Sequence, residues 1–348
     1  MIDDETAMIR DTAERLFTDN CERETIAAAW RGEWPATLWD EIEATGLTKA
    51  LVSEEKGGAG LPVGAALTLI EVAGEFAVPV PLAETMIAAW LLDRAGIEPP
   101  QGPLTFALLD GGATPGEGGW KVDGVTRRVP WGRSARLVGL VDGGNACQLV
   151  LFDEGAGKVE KGANAAGEPR DTVSFDTFCD NASVVNSPVS SAELHAIGAA
   201  MRTMQMTGAL RRATALTLQY AQDRKQFGRP LSKFQAVQQN LAVLATQCAA
   251  AAMAATMARD ALVSDELLPN IAIAKARTGE AAGVAAAIAH QVHGAIGFTL
   301  EHDLQFYTKR LYSWRDEFGN EGEWNRLYGR RLAANGADGL WPAITNAA

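Results

Sequence analysis

From Ser190 onward, apolar residues keep a helical spacing over stretches far longer than a strand or a turn could use. One stretch runs from 190 to 223 without a proline, and a second covers about 232–263. A third opens at Pro269 and reaches His293, and two shorter ones follow near 299–313 and 320–335. Helices this long joined by short loops bury their apolar stripes by packing antiparallel. The alanines within 249–258 and 281–289 let neighbouring helices approach closely. We read this half of the chain as a four-helix bundle, and the rest of the fold must be fitted around it.

The first hundred residues are also helical in pattern. Ile9, Ala13, Leu16 and Phe17 follow Asp3 and Asp4 at i, i+4, i+7 and i+8 spacing. The run GGAGLPVGAA breaks the period, LTLIEVAGEFA restores it, and Pro79 and Pro81 stop it. Between about 103 and 185 the signals become those of strands. FALL, GWKVDGVTRRVPW, ARLVGLV and CQLVLFD are short alternating runs punctuated by Gly and Asp-Gly, and Pro188 ends the section. The expected fold is mainly α with a small β domain. An N-terminal helical domain spans 1–102, a middle β-barrel-like domain 103–187, and the C-terminal bundle 188–348.

Charge narrows the partners. The 348 residues carry a net charge of -12, which argues against a nucleic-acid surface, because phosphate backbones need a basic patch. An acidic protein that handles a polyanionic ligand must gather its cations in one place. One stretch does so: Arg224, Lys225 and Gln226 lead into the turn Phe227-Gly228-Arg229-Pro230, between two long helices. Cys21, Cys147, Cys179 and Cys248 are scattered and form no CxxC, as expected of reduced thiols. The acidic, amphipathic N-terminus has no basic or apolar leader segment, so a cytoplasmic location is expected. No uncharged apolar run reaches about 18 residues with the character of a membrane span. Ala249–Met257 is too short, and no membrane partner is expected.

The common catalytic signatures are missing. GGAG at Gly57–Gly60 follows no strand and is no dinucleotide fingerprint, and GxxxxGK[ST], GxSxG and HExxH do not occur. His290 and His293 share a helix face at i, i+3 but have no accompanying ligand set, so no metal is expected. His195 and His302 stand alone and read as structural.

Two segments carry more. RKQFGRPLSKFQ and QVHGAIGF, with the loop EEKGGAG and the order α–β–α, resemble the acyl-CoA dehydrogenase family over essentially the whole chain. The resemblance implies FAD-dependent α,β-dehydrogenation of an acyl-CoA thioester. It also implies that both motifs reach across a dimer interface to the adenosine-diphosphate half of a neighbour's FAD. Arg224 would hold the pyrophosphate, where the planar guanidinium gives bidentate bonds. Gln226 would add a polar contact and Phe227 an apolar wall. Phe234 and Gln235 would lie near the same end, and Gln291 and Gly294 would meet the adenine–ribose region.

The departures from the family are equally specific. Its TEP…GSD segment is replaced by LLDGGATPGEGG over 108–119. Its WxT segment, which holds the isoalloxazine ring, aligns on VDGVTRRVPWG, with Arg128 at the Trp position and Pro130 at the Thr position. Trp131 is a shifted substitute at best. The family's usual base, a carboxylate that removes the α proton, falls on Gly319 in RDEFGNEGEWNRL, with Glu317 and Glu321 as the candidates on either side. The alternative base position falls near Gly198, and Glu193 reads as a helix first-turn residue. The resemblance therefore implies the non-catalytic subunit of a heteromeric α2β2 dehydrogenase, similar to bacterial enzymes acting on steroid-derived CoA thioesters. A homologous catalytic subunit would be its partner, and an electron-transfer flavoprotein the expected acceptor. Two alternatives remain: a self-sufficient homomeric dehydrogenase with a displaced Glu base, and a flavin-free scaffold or acyl-CoA-binding protein.

Overall fold

The computed structural model describes residues 4–144 and 146–345. Five helices come first: α1 (Asp4–Asn20), α2 (Arg23–Trp30), α3 (Ala36–Ala44), α4 (Val63–Glu75) and α5 (Leu82–Arg94). Seven strands follow: β1 (Leu104–Gly116), β2 (Gly119–Pro130), β3 (Arg136–Asp142), β4 (Cys147–Leu151), β5 (Lys158–Glu160), β6 (Arg170–Asp180) and β7 (Val184–Asn186). Then come α6 (Ser191–Asp223), the two-residue strands β8 (Lys225–Gln226) and β9 (Arg229–Pro230), α7 (Gln235–Ala261), α8 (Leu267–His293), α9 (Leu304–Asp316), α10 (Glu321–Ala334) and α11 (Gly336–Thr345). Asp3, expected ahead of the first helix, lies outside the described residues.

Two compact units result, residues 1–69 with 78–194 and residues 70–77 with 195–348. In the first, the sheet runs β5-β6-β2-β1-β3-β4-β7. β1 and β3 are parallel, and every other neighbouring pair is antiparallel. Its core is aliphatic around Val122, Val150 and Val173, with the rings of Phe152 and Phe175 stacked at 3.8 Å. α5 is buried from Leu82 through Leu92 on all sides, so it presents no polar stripe. It is tied to the sheet by Thr85, whose Oγ1 donates to the Leu104 carbonyl at 3.1 Å and accepts the Leu104 N–H at 3.0 Å.

In the second unit, the end of α4 crosses α6 with backbones in contact. A Cβ on Gly74 would lie 2.2 Å from the Gln205 carbonyl oxygen. Arg211 binds Glu75 at 3.0 Å and also pairs with Glu71, fixing the crossing. α7 and α8, 27 residues each, pack together in the bundle. Both are long and apolar enough to cross a membrane by length and composition, which corrects the sequence-based expectation that no segment would qualify. Only 28% of the apolar window of α7 is buried within this chain. Val243 and Met253 stand 43% and 70% exposed on it.

Candidate cofactor-binding site

α6 ends where Arg224 N–H donates to the Tyr220 carbonyl at 2.9 Å, and the chain reverses through β8 and β9. The reversal needs two residues with positive φ, Phe227 (φ 50) and Gly228 (φ 79). For Gly this is free, and for Phe it is strained by about 1 kcal/mol. Phe227 is nevertheless 92% exposed, so no packing of its own compensates. Its ring meets Phe234 edge-on at 6.3 Å, and the Arg229 guanidinium lies 4.1 Å above Phe234. Among the described residues, Arg224, Lys225, Arg229 and Lys233 form no ion pair, in a chain of net charge -12. Gln226 and Gln235 are exposed beside them.

The second segment is the end of α8. Gln291 is exposed. Gly294 takes φ 64, ψ -144, a conformation essentially confined to glycine, and a Cβ there would meet nothing within 4 Å. His293 stacks on Tyr220 of α6 at 4.5 Å and meets His302 at 4.5 Å. His302 therefore does not stand alone, as its isolation in the sequence suggested. It joins a cluster with no sequence signal, because Tyr220, His293 and His302 belong to three separate segments.

The loop between α9 and α10 is organised differently. Glu317 is 6% exposed and accepts from Arg202 Nε at 2.7 Å; Arg202 itself is fully buried. Glu321 binds Arg315 at 2.5 Å. Glu323 completes a capping box with Asn320 at the start of α10. Lys275 Nζ donates to the carbonyls of Arg315 at 2.7 Å and Gly319 at 2.8 Å, and burial pushes its pKa down to about 8. Gly319 is buried with φ 87. A Cβ there would lie 2.6 Å from Trp324 Nε1 and 3.1 Å from His195 Nε2. At Gly198, a Cβ would lie 2.3 Å from Phe318. Both positions where the resemblance looks for a base are thus filled by neighbouring rings. Glu193 bonds Ser190 N at 2.7 Å in the first turn of α6, as its position suggested.

Comparison with known proteins fixes the lineage. Residues 3–100 match the acyl-CoA dehydrogenase N-terminal domain, and residues 192–316 match the acyl-CoA dehydrogenase C-terminal domain. Acyl-CoA dehydrogenase FadE27 of Mycobacterium tuberculosis is 30% identical over 332 residues, covering 85% of this chain and 88% of the relative. This chain belongs to the acyl-CoA dehydrogenase family. Acyl-CoA dehydrogenase IpdE2 of Mycolicibacterium smegmatis is 28% identical, over 89% of this chain and 93% of its own length. The fold is shared with a chain of the Tcur3481-Tcur3483 steroid ACAD, at TM-score 0.87 and 23% identity, covering 97% of this chain and 100% of that one. It is shared as well with a chain of the ChsE4-ChsE5 complex of Mycobacterium tuberculosis, at TM-score 0.85 and 21% identity, covering 96% and 98%.

Acyl-CoA dehydrogenases are FAD-dependent as a family, and the surfaces of this chain differ in how well their chemistry fits the two ends of that cofactor. The hairpin chemistry fits a pyrophosphate: an unpaired guanidinium on Arg224, and at Gly228 and Gly294 backbone with open space where a side chain would be. The sheet fits a flavin ring poorly. β1 continues to Gly116 and turns directly into β2, paired from Asp110–Val125 to Gly116–Gly119, where the family's ring-holding segment is expected. Arg128 is exposed at φ 58 in the bulge between Thr126 and Val129, and Pro130 is buried. Trp131 is 8% exposed and packs edge-on against Trp34 at 6.2 Å, so its ring is spent on the core.

Proposed function

We propose that this acyl-CoA dehydrogenase is the supporting subunit of a heteromeric enzyme. Its Arg224 hairpin and its Gln291–Gly294 turn complete the ADP half of an FAD whose ring, base and acyl pocket belong to a homologous catalytic subunit. One observation carries the reading. At the base position, Gly319 is walled in by Trp324 and His195 and by Glu323, whose carboxylate is used in the capping box of α10, while the two carboxylates expected to substitute, Glu317 and Glu321, are each held in an ion pair. A general base must reach substrate with a free lone pair, and neither Glu can do so without breaking its pair. The unpaired cations of the hairpin supply the complementary half: charge kept available for an anion from outside the chain. The likeness in fold to chains of two-component assemblies supports the same division of labour. By this reading the substrate is a steroid-derived acyl-CoA, the electron acceptor an electron-transfer flavoprotein, and the setting cytoplasmic.

The test is the visible spectrum of the purified chain, alone and co-expressed with its homologous partner. A colourless chain and a yellow complex with one FAD per pair of unlike chains are expected. A stoichiometric flavin band and acyl-CoA oxidation by the chain alone would establish the homomeric alternative, and a colourless complex the scaffold.

A further inference from the structure

Tyr220 lies in the last turn of α6, and its carbonyl accepts the N–H of Arg224, the first cation of the hairpin. Its ring lies on that of His293, centroids 4.5 Å apart and planes 23° from parallel. His293 is the last residue of α8, directly before Gly294. His302 closes the third side, edge-on to His293 at 4.5 Å and to Tyr220 at 6.0 Å. Its Nδ1 accepts the Leu304 N–H at 3.1 Å, so it also marks the start of α9. One turn earlier in α8, His290 stacks on Phe298 at 4.1 Å, and its Nε2 lies 2.9 Å from Thr308 Oγ1. Gly297 is required underneath: a Cβ there would come within 3.0 Å of the His293 Cβ and 3.2 Å of His290 Nδ1.

We propose that Tyr220 and His293 are positioning residues that lock the Arg224 hairpin and the Gln291–Gly294 turn into one register, so that the two act as a single nucleotide-binding surface. The identity of the ligand rests on the function proposed above; the coupling of the two segments does not. Without the stack, the hairpin is joined to the rest of the bundle through the ends of α6 and α7, and the turn through the ends of α8 and α9. Their relative placement would then depend on helix ends, which fray easily. A planar ring pair with both members half or fully buried fixes distance and tilt together, and such pairs contribute about 0.5–1.5 kcal/mol beyond the area they bury.

The lock requires a neutral His293. Its Nδ1 lies 2.8 Å from the Ala289 carbonyl, which can only accept, so Nδ1 carries the proton. Nε2 is buried with no hydrogen-bond partner. A second proton there would be an unsatisfied donor facing other imidazoles. The titratable groups around the ring are Tyr220 from α6, His302 from the segment before α9 and His290 on α8 itself, with Glu301 and Asp303 flanking His302 in sequence. Burial, assisted by His302 and His290, holds the His293 pKa near 4.

Amide hydrogen exchange on the full chain tests the coupling. Tyr220→Ala and His293→Ala should each accelerate exchange in both segments, 224–234 and 291–298, by about threefold to tenfold, with the double variant no worse than either single one. Tyr220→Phe keeps the ring and should match the wild type. Tyr220→Leu, which keeps volume without a ring plane, gives the same readout should the alanine variant not fold. Titration of the chain with ADP should show weaker binding in the alanine variants by a similar factor. If Tyr220→Ala loosens only the hairpin and His293→Ala only the turn, or if Tyr220→Phe behaves like Tyr220→Ala, the lock is overturned. If the coupled exchange appears but Arg224→Ala leaves ADP binding unchanged, the lock stands and the cofactor reading falls.

Discussion

The two ends of α6 treat charge in opposite ways. Near its start, Arg202 is buried and bound to Glu317, and the neighbouring Lys275, Arg315 and Glu321 are all engaged within the chain. Just past its end, about 22 residues and roughly 33 Å along the helix axis from Arg202, Arg224, Lys225, Arg229 and Lys233 have no carboxylate partner among the described residues. Internal pairing consumes the donors and acceptors that chemistry would need. Leaving cations unpaired on an acidic chain costs nothing while they are solvated and keeps them ready for an anionic ligand. The first end holds the bundle together, and the second faces outward.

This contrast can be broken from either side. The largest effect is expected at the paired end. Arg202→Ala leaves Glu317 buried without its cation and should lower stability by about 3–5 kcal/mol, seen as a shifted urea midpoint. A shift below about 1 kcal/mol would mean that water reaches Glu317. At the outward end, Arg224→Ala should weaken FAD retention by the proposed two-subunit complex about tenfold or more, while leaving the melting temperature of this chain within about 1 °C. A melting loss with unchanged FAD retention would reverse the assignment.

Acidification probes the aromatic junction beside the outward end. The His293 pKa is held down to about 4 in the folded chain, against 6.5 when unfolded. The unfolded state therefore binds the proton first, and the stability present above pH 6.5 is lost as the pH falls toward 4. Between pH 7 and pH 5 the difference amounts to roughly 2 kcal/mol. Urea titrations at the two pH values should show this in the wild type, and His293→Phe should remove that component. The smallest effect is expected for Glu321→Gln. It should change stability by less than about 1 kcal/mol and leave turnover of the complex within twofold. A large loss of turnover would make Glu321 a base after all.

The long helices of the bundle were legible because their period repeats many times. The existence of α6, α7 and α8 follows from spacing alone, with ends within a few residues. α5 was not, since a helix buried on every side carries no amphipathic stripe. β6 escaped as well: in RDTVSFDTFCD the charged residues interrupt its alternation, and its place between β5 and β2 is set by partners distant in sequence. At the site, the turn at Phe227-Gly228 and the glycine at 294 are local and could be read directly. The sealing of Gly319 could not, because it depends on His195, more than a hundred residues away, and on the ring of Trp324 folding back. The stack of Tyr220 on His293 was hidden for the same reason.

The exposed flank of α7 has a consequence for how such a chain is made. A helix apolar enough to pass for a membrane span, with 28% of its apolar window covered, is a surface that chaperones and proteases recognise. On the supporting-subunit reading proposed above, a copy released from the ribosome without its counterpart would be retained, cleared or precipitated. By that reading, yield in a cell should follow the scarcer of the two polypeptides, and balanced synthesis of both would decide how much enzyme accumulates.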